Sequence, residues 1–248
     1  MKHSRYIIPV AFAALLAGCS NTFVYNQLDW LIPWYLDDYV DLTRDQRRDL
    51  KEELRELLRW HRNEELASYI VILDNIEADL RQPLTATQVE GWANQAMAAY
   101  ERIEERMLPM LFDLGRDLSD AQMAEFIASL ERGQQELEEE YLERTDEEYV
   151  ADARENLEEN LSDFMGRLTD EQRQVIAAAS GSLQRFDYAW LEERRQWFVT
   201  LSGLLQREPG WEDAVLTALR ERDRNRTEAY RSIYNHNAVI IHPAIAEV

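Results

Sequence analysis

His61 stands three residues before Glu64 and four before Glu65, between Trp60 and Arg62. On a helix that spacing puts an imidazole and a carboxylate on one face, the arrangement of a metal-ligand pair or an acid/base pair. Zinc takes three or four ligands, however, and the next histidines, His236 and His242, lie far along the chain. A histidine on an apolar face is more often a hydrogen-bonded core residue, and that reading is preferred for His61. Asp37, Asp38 and Asp41 form a second acidic group that could face His61 or Arg62. Clustered carboxylates can raise a pKa for proton transfer, but ion pairs between helix ends use the same residues without catalysis. The chain has no phosphate-binding P-loop, no Gly-rich dinucleotide fingerprint, no His-Glu-x-x-His and no Gly-x-Ser-x-Gly. No enzymatic activity, catalytic residue, metal or cofactor is therefore assigned. Trp30, Asp37, Asp38, Tyr39, Asp41, Trp60, His61 and Arg62 stand instead as a candidate partner-binding group.

Composition says what must position these residues. Apolar residues make up 46% of 248, with only 8 Gly and 6 Pro, so the chain has few of the residues that punctuate sheets and loops. Helix is favoured throughout. Asn21 or Thr22 can cap a first helix running from about Phe23 to Val40, with Pro33 as a kink. Its apolar residues, Trp30, Trp34 and Tyr35 among them, cover most of the helix surface, which predicts a buried central helix rather than one lining a groove.

One pattern recurs at four places: Leu42-Thr43-x-x-Gln46, Leu84-Thr85-x-x-Gln88, Leu118-Ser119-x-x-Gln122 and Leu168-Thr169-x-x-Gln172. Each reads as a capping box, with the hydroxyl and the Gln side chain satisfying each other's backbone N–H groups, so each marks a helix start. A hydrophobic staple from the Leu suits Val89 and Met123 but not Arg47 or Arg173. Apolar residues at helical period follow every start, with a change of phase at Glu64-Glu65 and stops at Gly115 and at Pro209-Gly210. A last helix begins near Trp211, and His236 to Val248 reads as a short tail. The expectation is an all-α, elongated or curved bundle of about six long amphipathic helices, one domain over 19–248. The uneven spacing of the four starts excludes a solenoid repeat.

The formal charge is −21. An acid excess of that size repels nucleic acid and anionic lipid head groups. Residues 136–163 hold 13 acids and only Arg144 and Arg154 as bases, which reads as a solvated helix face.

Lys2, His3 and Arg5 precede an apolar run from Tyr6 to Leu16, the layout of a secretory signal and about half the length a membrane span needs. The only cysteine follows it, and Leu16-Ala17-Gly18-Cys19 resembles the bacterial lipobox. That resemblance implies removal of residues 1–18, which makes the charge more negative by two, and acylation of Cys19. Several acyl chains anchor firmly where one does not. Ser20, in place of an aspartate, implies the outer membrane, with the protein on its periplasmic face. The runs Tyr25-Asn26-Gln27-Leu28-Asp29-Trp30-Leu31, Trp34-Tyr35-Leu36-Asp37-Asp38-Tyr39-Val40-Asp41-Leu42 and Leu58-Arg59-Trp60-His61-Arg62 resemble a family of bacterial lipoproteins of unknown function. The four Leu-Thr-x-x-Gln starts resemble, more loosely, the Spy/CpxP group of periplasmic helical proteins, whose members act as chaperones, stress regulators or metal-associated proteins. This chain departs from that group in its four copies, its anchor and its acidity. Together these features imply a non-enzymatic lipoprotein that binds protein or peptide, in the manner of a chaperone. The alternative is a structural or regulatory envelope protein docking one partner.

Overall fold

The computed structural model describes residues 23–248. Cys19, Ser20, the signal-like segment 1–18 and the Asn21/Thr22 cap lie outside them. Ten α-helices are present among the described residues, and no strand. They are α1 (Leu28–Leu36), α2 (Arg44–Trp60), α3 (Leu66–Asp79), α4 (Ala86–Asp117), α5 (Asp120–Glu143), α6 (Asp146–Met165), α7 (Asp170–Ser180), α8 (Asp187–Leu204), α9 (Trp211–Glu221) and α10 (Glu228–Glu247). A π-turn, His61–Glu65, joins α2 to α3.

The all-α class follows from the composition, and the helices are more finely divided than their periodicity suggests. The chain leaves the first helix at Asp37, so α1 is nine residues rather than a run to Val40. Gly181 to Phe186 breaks the run after Gln172 into α7 and α8. Gly115 does not stop α4, which continues to Asp117. Its missing Cβ instead admits the Trp211 ring, to which a Cβ there would approach within 3.0 Å. The residues read as a tail belong to α10, which carries Pro243 within it and ends beside Val248.

All four predicted capping boxes form, at Thr43, Thr85, Ser119 and Thr169. A fifth, Thr145 with Glu148, opens α6. Leu42, Leu118 and Leu168 are buried, as are Val89 and Met123 at the positions suited to a staple. Arg47 and Arg173 turn outward and pair with Asp37 and Glu158.

Two of the boxes also bind each other. Gln46 Nε2 donates to the Asp117 carbonyl at 2.7 Å, and Gln122 Nε2 donates to the Asp41 carbonyl at 2.8 Å. The two side-chain amides also lie within hydrogen-bond distance of each other. Each glutamine thus caps its own helix and the segment that leads into the other's. This interlock brings Leu42 and Leu118 into one core with Val40, Leu50, Leu54, Met110 and Met123. The core is thin, with only fifteen apolar residues buried among the described residues.

Gln46→Ala should cost about 1–2 kcal/mol in urea unfolding, from the lost cap and the lost carbonyl contact. Combined with Gln122→Ala, the double-mutant cycle should give a coupling of about 0.5–2 kcal/mol. Strictly additive losses would mean that the interlock contributes nothing.

Candidate functional site

α1 lies antiparallel along α2. Asp37 pairs with Arg47 at 2.6 Å at one end, Asp29 with Arg55 at 2.9 Å further along, and Arg62 donates to Asn26 at 3.2 Å at the other end. This geometry separates the predicted partner-binding residues. Asp37, Asp38, Tyr39 and Asp41 sit where α1 ends, and the last two meet α5, where the Asp41 N–H donates to Glu125 and the Tyr39 ring lies 6.5 Å from Phe126. Trp60, His61 and Arg62 sit at the opposite end, at the π-turn, so the three aspartates do not reach His61.

The expectation that the aromatic segment is buried is corrected by the structure. Trp30, Trp34 and Tyr35 are 54%, 59% and 55% exposed. The inward side of so short a helix is taken by Ile32, Pro33 and Leu36. That leaves Trp30 and Trp34, four residues apart, stacked on the outer side with rings 6.4 Å apart and nearly parallel. Tyr35 and Tyr39 share a hydroxyl hydrogen bond of 2.8 Å, which pushes the Tyr39 phenol up from its ordinary pKa.

The π-turn builds the more enclosed cluster. A π-turn adds one residue to the helical path, the physical form of the phase change at Glu64-Glu65, and such turns are frequent at functional sites. Here it rotates Glu65 inward, where the residue is only 4% exposed. Its carboxylate accepts from Arg102 of α4, with Nε 3.1 Å from both oxygens, and from the Ser68 hydroxyl. The Arg102 guanidinium holds the Glu65 carboxyl below the usual carboxylate range, against the opposing effect of burial. His61 lies between two phenols: Tyr25 hydroxyl is 2.9 Å from Nδ1 and Tyr69 hydroxyl 3.4 Å from Nε2. Burial pushes the Tyr69 phenol up, so it stays protonated at neutral pH. Arg62 lies over the Tyr25 ring at 5.4 Å, and Arg106 over Trp60 at 5.7 Å.

His61 is therefore the hydrogen-bonded, half-buried histidine of the preferred reading. Its intended acid partner is engaged elsewhere: Glu65 faces Arg102, and Glu64 is exposed. Among the described residues no group of three or more His, Cys, Asp or Glu is placed to hold a metal ion. Tyr25, Tyr69, Arg102 and Arg106 complete the cluster without being singled out in sequence for this role. Tyr69 is legible as the residue eight positions, about two turns, beyond His61, but nothing local marks Arg102, which arrives from another helix.

The acidic stretch also hides a centre. Asp187, at the start of α8, is buried and accepts from Arg144 at 2.6 and 3.0 Å and from Arg185 at 3.0 Å. Arg144 also reaches Asp152 and lies over the Tyr141 and Tyr149 rings. Much of the stretch is a solvated face, but one of its two bases is a structural hub.

Acid should weaken the Glu65 contact. The folded carboxyl has the lowered pKa, so its stabilisation is complete above the unfolded value of about 4.3 and is lost as pH falls through that value towards the folded one. The stability difference between the unsubstituted chain and Glu65→Gln should be largest near neutral pH and shrink below about pH 4. A difference that grows on acidification in pH-dependent denaturation would refute the assignment.

Comparison with curated proteins and with solved structures finds no match. Residues 38–231 match the model of a family described as a family of unknown function, DUF6279. The match spans most of the chain and takes in the helices that carry the interlock, the π-turn and the Asp187 hub. The chain belongs to the DUF6279 family.

Proposed function

We propose that the protein is a lipoprotein, acylated at Cys19 and held at the periplasmic face of the outer membrane, that binds polypeptide non-enzymatically, as a chaperone does. The observation that carries this reading is α3. It is a fourteen-residue helix with no buried residue, and its apolar side chains Ile70, Val71 and Leu73 are all more than half exposed. A helix of that length is marginal alone, and exposed apolar patches on proteins mark interaction sites. The stacked Trp30 and Trp34 add a second apolar surface. The resemblance of the capped helix starts to the Spy/CpxP group points the same way. Among the described residues no helix is long and apolar enough to cross a membrane, and a lipid on Cys19 would supply the attachment.

A second reading, docking of one specific partner, draws on the other end of α1. There the bonded Tyr35 and Tyr39 flank exposed Asp38. In-cell crosslinking separates the two readings. One dominant product that vanishes on Asp38→Ala supports a dedicated partner, and a diffuse pattern supports general polypeptide binding.

The chain without its lipid should slow aggregation of an unfolded client at near-equal ratio. Ile70→Ser together with Leu73→Ser, at exposed positions, should leave thermal melting unchanged and remove most of that protection. Undiminished protection would mean that α3 is not the binding surface. Cys19→Ala should move the protein from the membrane fraction to the soluble one, and retention on the membrane would exclude the lipid anchor.

A further inference from the structure

Between α1, α2, α4, α5, α8 and α9 the helices line a partly open apolar cavity of about 420 Å³. Its floor is core, with Leu54 and Met110, and its upper walls include Met107, Leu114, Leu201 and Trp211. Among the described residues Glu104 is the only charged one lining it. The walls do not close because α9 is propped against α4 at the far end. There Trp211 packs edge-on against Phe112 with rings 5.4 Å apart and lies on Gly115, and Glu212 pairs with Arg116.

A cavity of this size is a weakness if empty, because its lining atoms lose their dispersion contacts. Water is a poor occupant, since each molecule needs about two to four polar partners and, apart from Glu104 and two tryptophans, the wall is aliphatic or phenyl. The volume is nearly three times that of an apolar cavity of about 150 Å³ that stays dry and binds benzene, and lies within the range of about 300–1,000 Å³ for small-ligand sites. Taking a methylene as similar in volume to a water molecule, about 30 Å³, the space admits an aliphatic chain of about a dozen carbons. Methionines 107, 110 and 123 give that wall adaptable side chains.

The mouth has its own chemistry. Glu104 lines both the cavity and an outer cleft between α4 and α9. That cleft also carries Glu101, Glu105, Asp113, Glu212 and Asp223 against Arg116, Arg220 and Arg222. Arg116 is engaged by Asp113 and Glu212. Arg222 donates to Glu104 at 3.2 Å, and its guanidinium lies 5.9 Å from the centre of the Trp197 ring, another wall residue. The pair spans the entrance, and the cleft outside it is net acidic, a poor place for an anionic head.

We propose that the cavity binds a single aliphatic chain whose cationic or uncharged head group remains in the α4–α9 cleft, and that the Arg222–Glu104 pair is the latch over the entrance. The site is separate from the α3 surface and does not depend on the protein binding polypeptide.

Calorimetric titration with dodecyltrimethylammonium, below its micellar concentration, should show saturable one-to-one binding, with dodecanoate about tenfold weaker or more. Leu108→Trp and Leu201→Trp each place an indole in the space and should abolish the saturable phase while the thermal transition stays in place. A folded filled variant that still binds would assign the binding to general attraction by the acidic surface and overturn the proposal. So would the absence of saturable binding by the unsubstituted chain, or equal affinity for dodecanoate. Should both filled variants fail to fold, Arg222→Ala decides: it leaves the wall intact and should speed ligand exchange about tenfold at unchanged stoichiometry. Unchanged exchange would overturn the latch.

Discussion

The reciprocal contact between Gln46 and Gln122 is the constraint on which the rest of the structure depends. A capping box ordinarily satisfies the first backbone donors of one helix and says nothing about its neighbours. Here each glutamine's box uses only its Oε1 and leaves both amide protons, and one of these goes to a carbonyl leading into the other's helix, Asp117 for Gln46 and Asp41 for Gln122. Two helix corners that are about 75 residues apart in sequence become a single polar joint. Leu42 and Leu118, the residues before the two caps, then meet in the core because their corners meet.

The same joint receives the far half of the chain. Arg207 follows α8 in a left-handed conformation, φ 59°, which a residue with a Cβ adopts at a cost. What offsets that cost is its guanidinium, which donates to the Gly115 and Leu118 carbonyls at the end of α4 and to Asp120 at the start of α5. Those carbonyls have no partner within the helix that they end. With α8 fixed there, α9 is set against α4 by Trp211, and the apolar cavity is the space left when these supports are satisfied.

Elsewhere the same economy of corners repeats with other chemistry. Asp187 joins the corner between α5 and α6, through Arg144, to the corner between α7 and α8, through Arg185. Gln172 donates from its cap to the Val248 carbonyl, which fixes the end of α10 to the start of α7. Gln88 and Trp92 both donate to Asp79 across the turn from α3 to α4. A thin core leaves little hydrophobic energy to choose among packings of amphipathic helices, so directional contacts at the ends can supply the choice. The few cations matter for the same reason: nearly all are arginine, whose planar fork fixes an orientation as well as a charge.

What could be read from the residues follows the range of the interactions involved. A capping box is local, its two partners three positions apart, so all four Leu-Thr/Ser-x-x-Gln starts are legible, while Thr145 with Glu148 hides because Arg144 and Glu148 stand where the pattern has Leu and Gln. The phase change at Glu64-Glu65 is legible as a loss of register, and its consequence is not, because Arg102 comes from a different helix. Periodicity counts apolar residues around a helix without knowing how many neighbours will cover them. α1, whose apolar residues lie nearly all round it, receives one long neighbour and a corner of core, so its tryptophans remain outside. Charge density misleads at Arg144 for a related reason: one base among thirteen acids looks like a solvated exception until Asp187 arrives from 43 residues away. The surfaces that carry the functional proposals, α3 and the Trp30–Trp34 face, are therefore those where helical pattern and packing disagree. An apolar side chain that the fold leaves uncovered is one that the core does not explain, and that is why the binding proposal rests on these two surfaces.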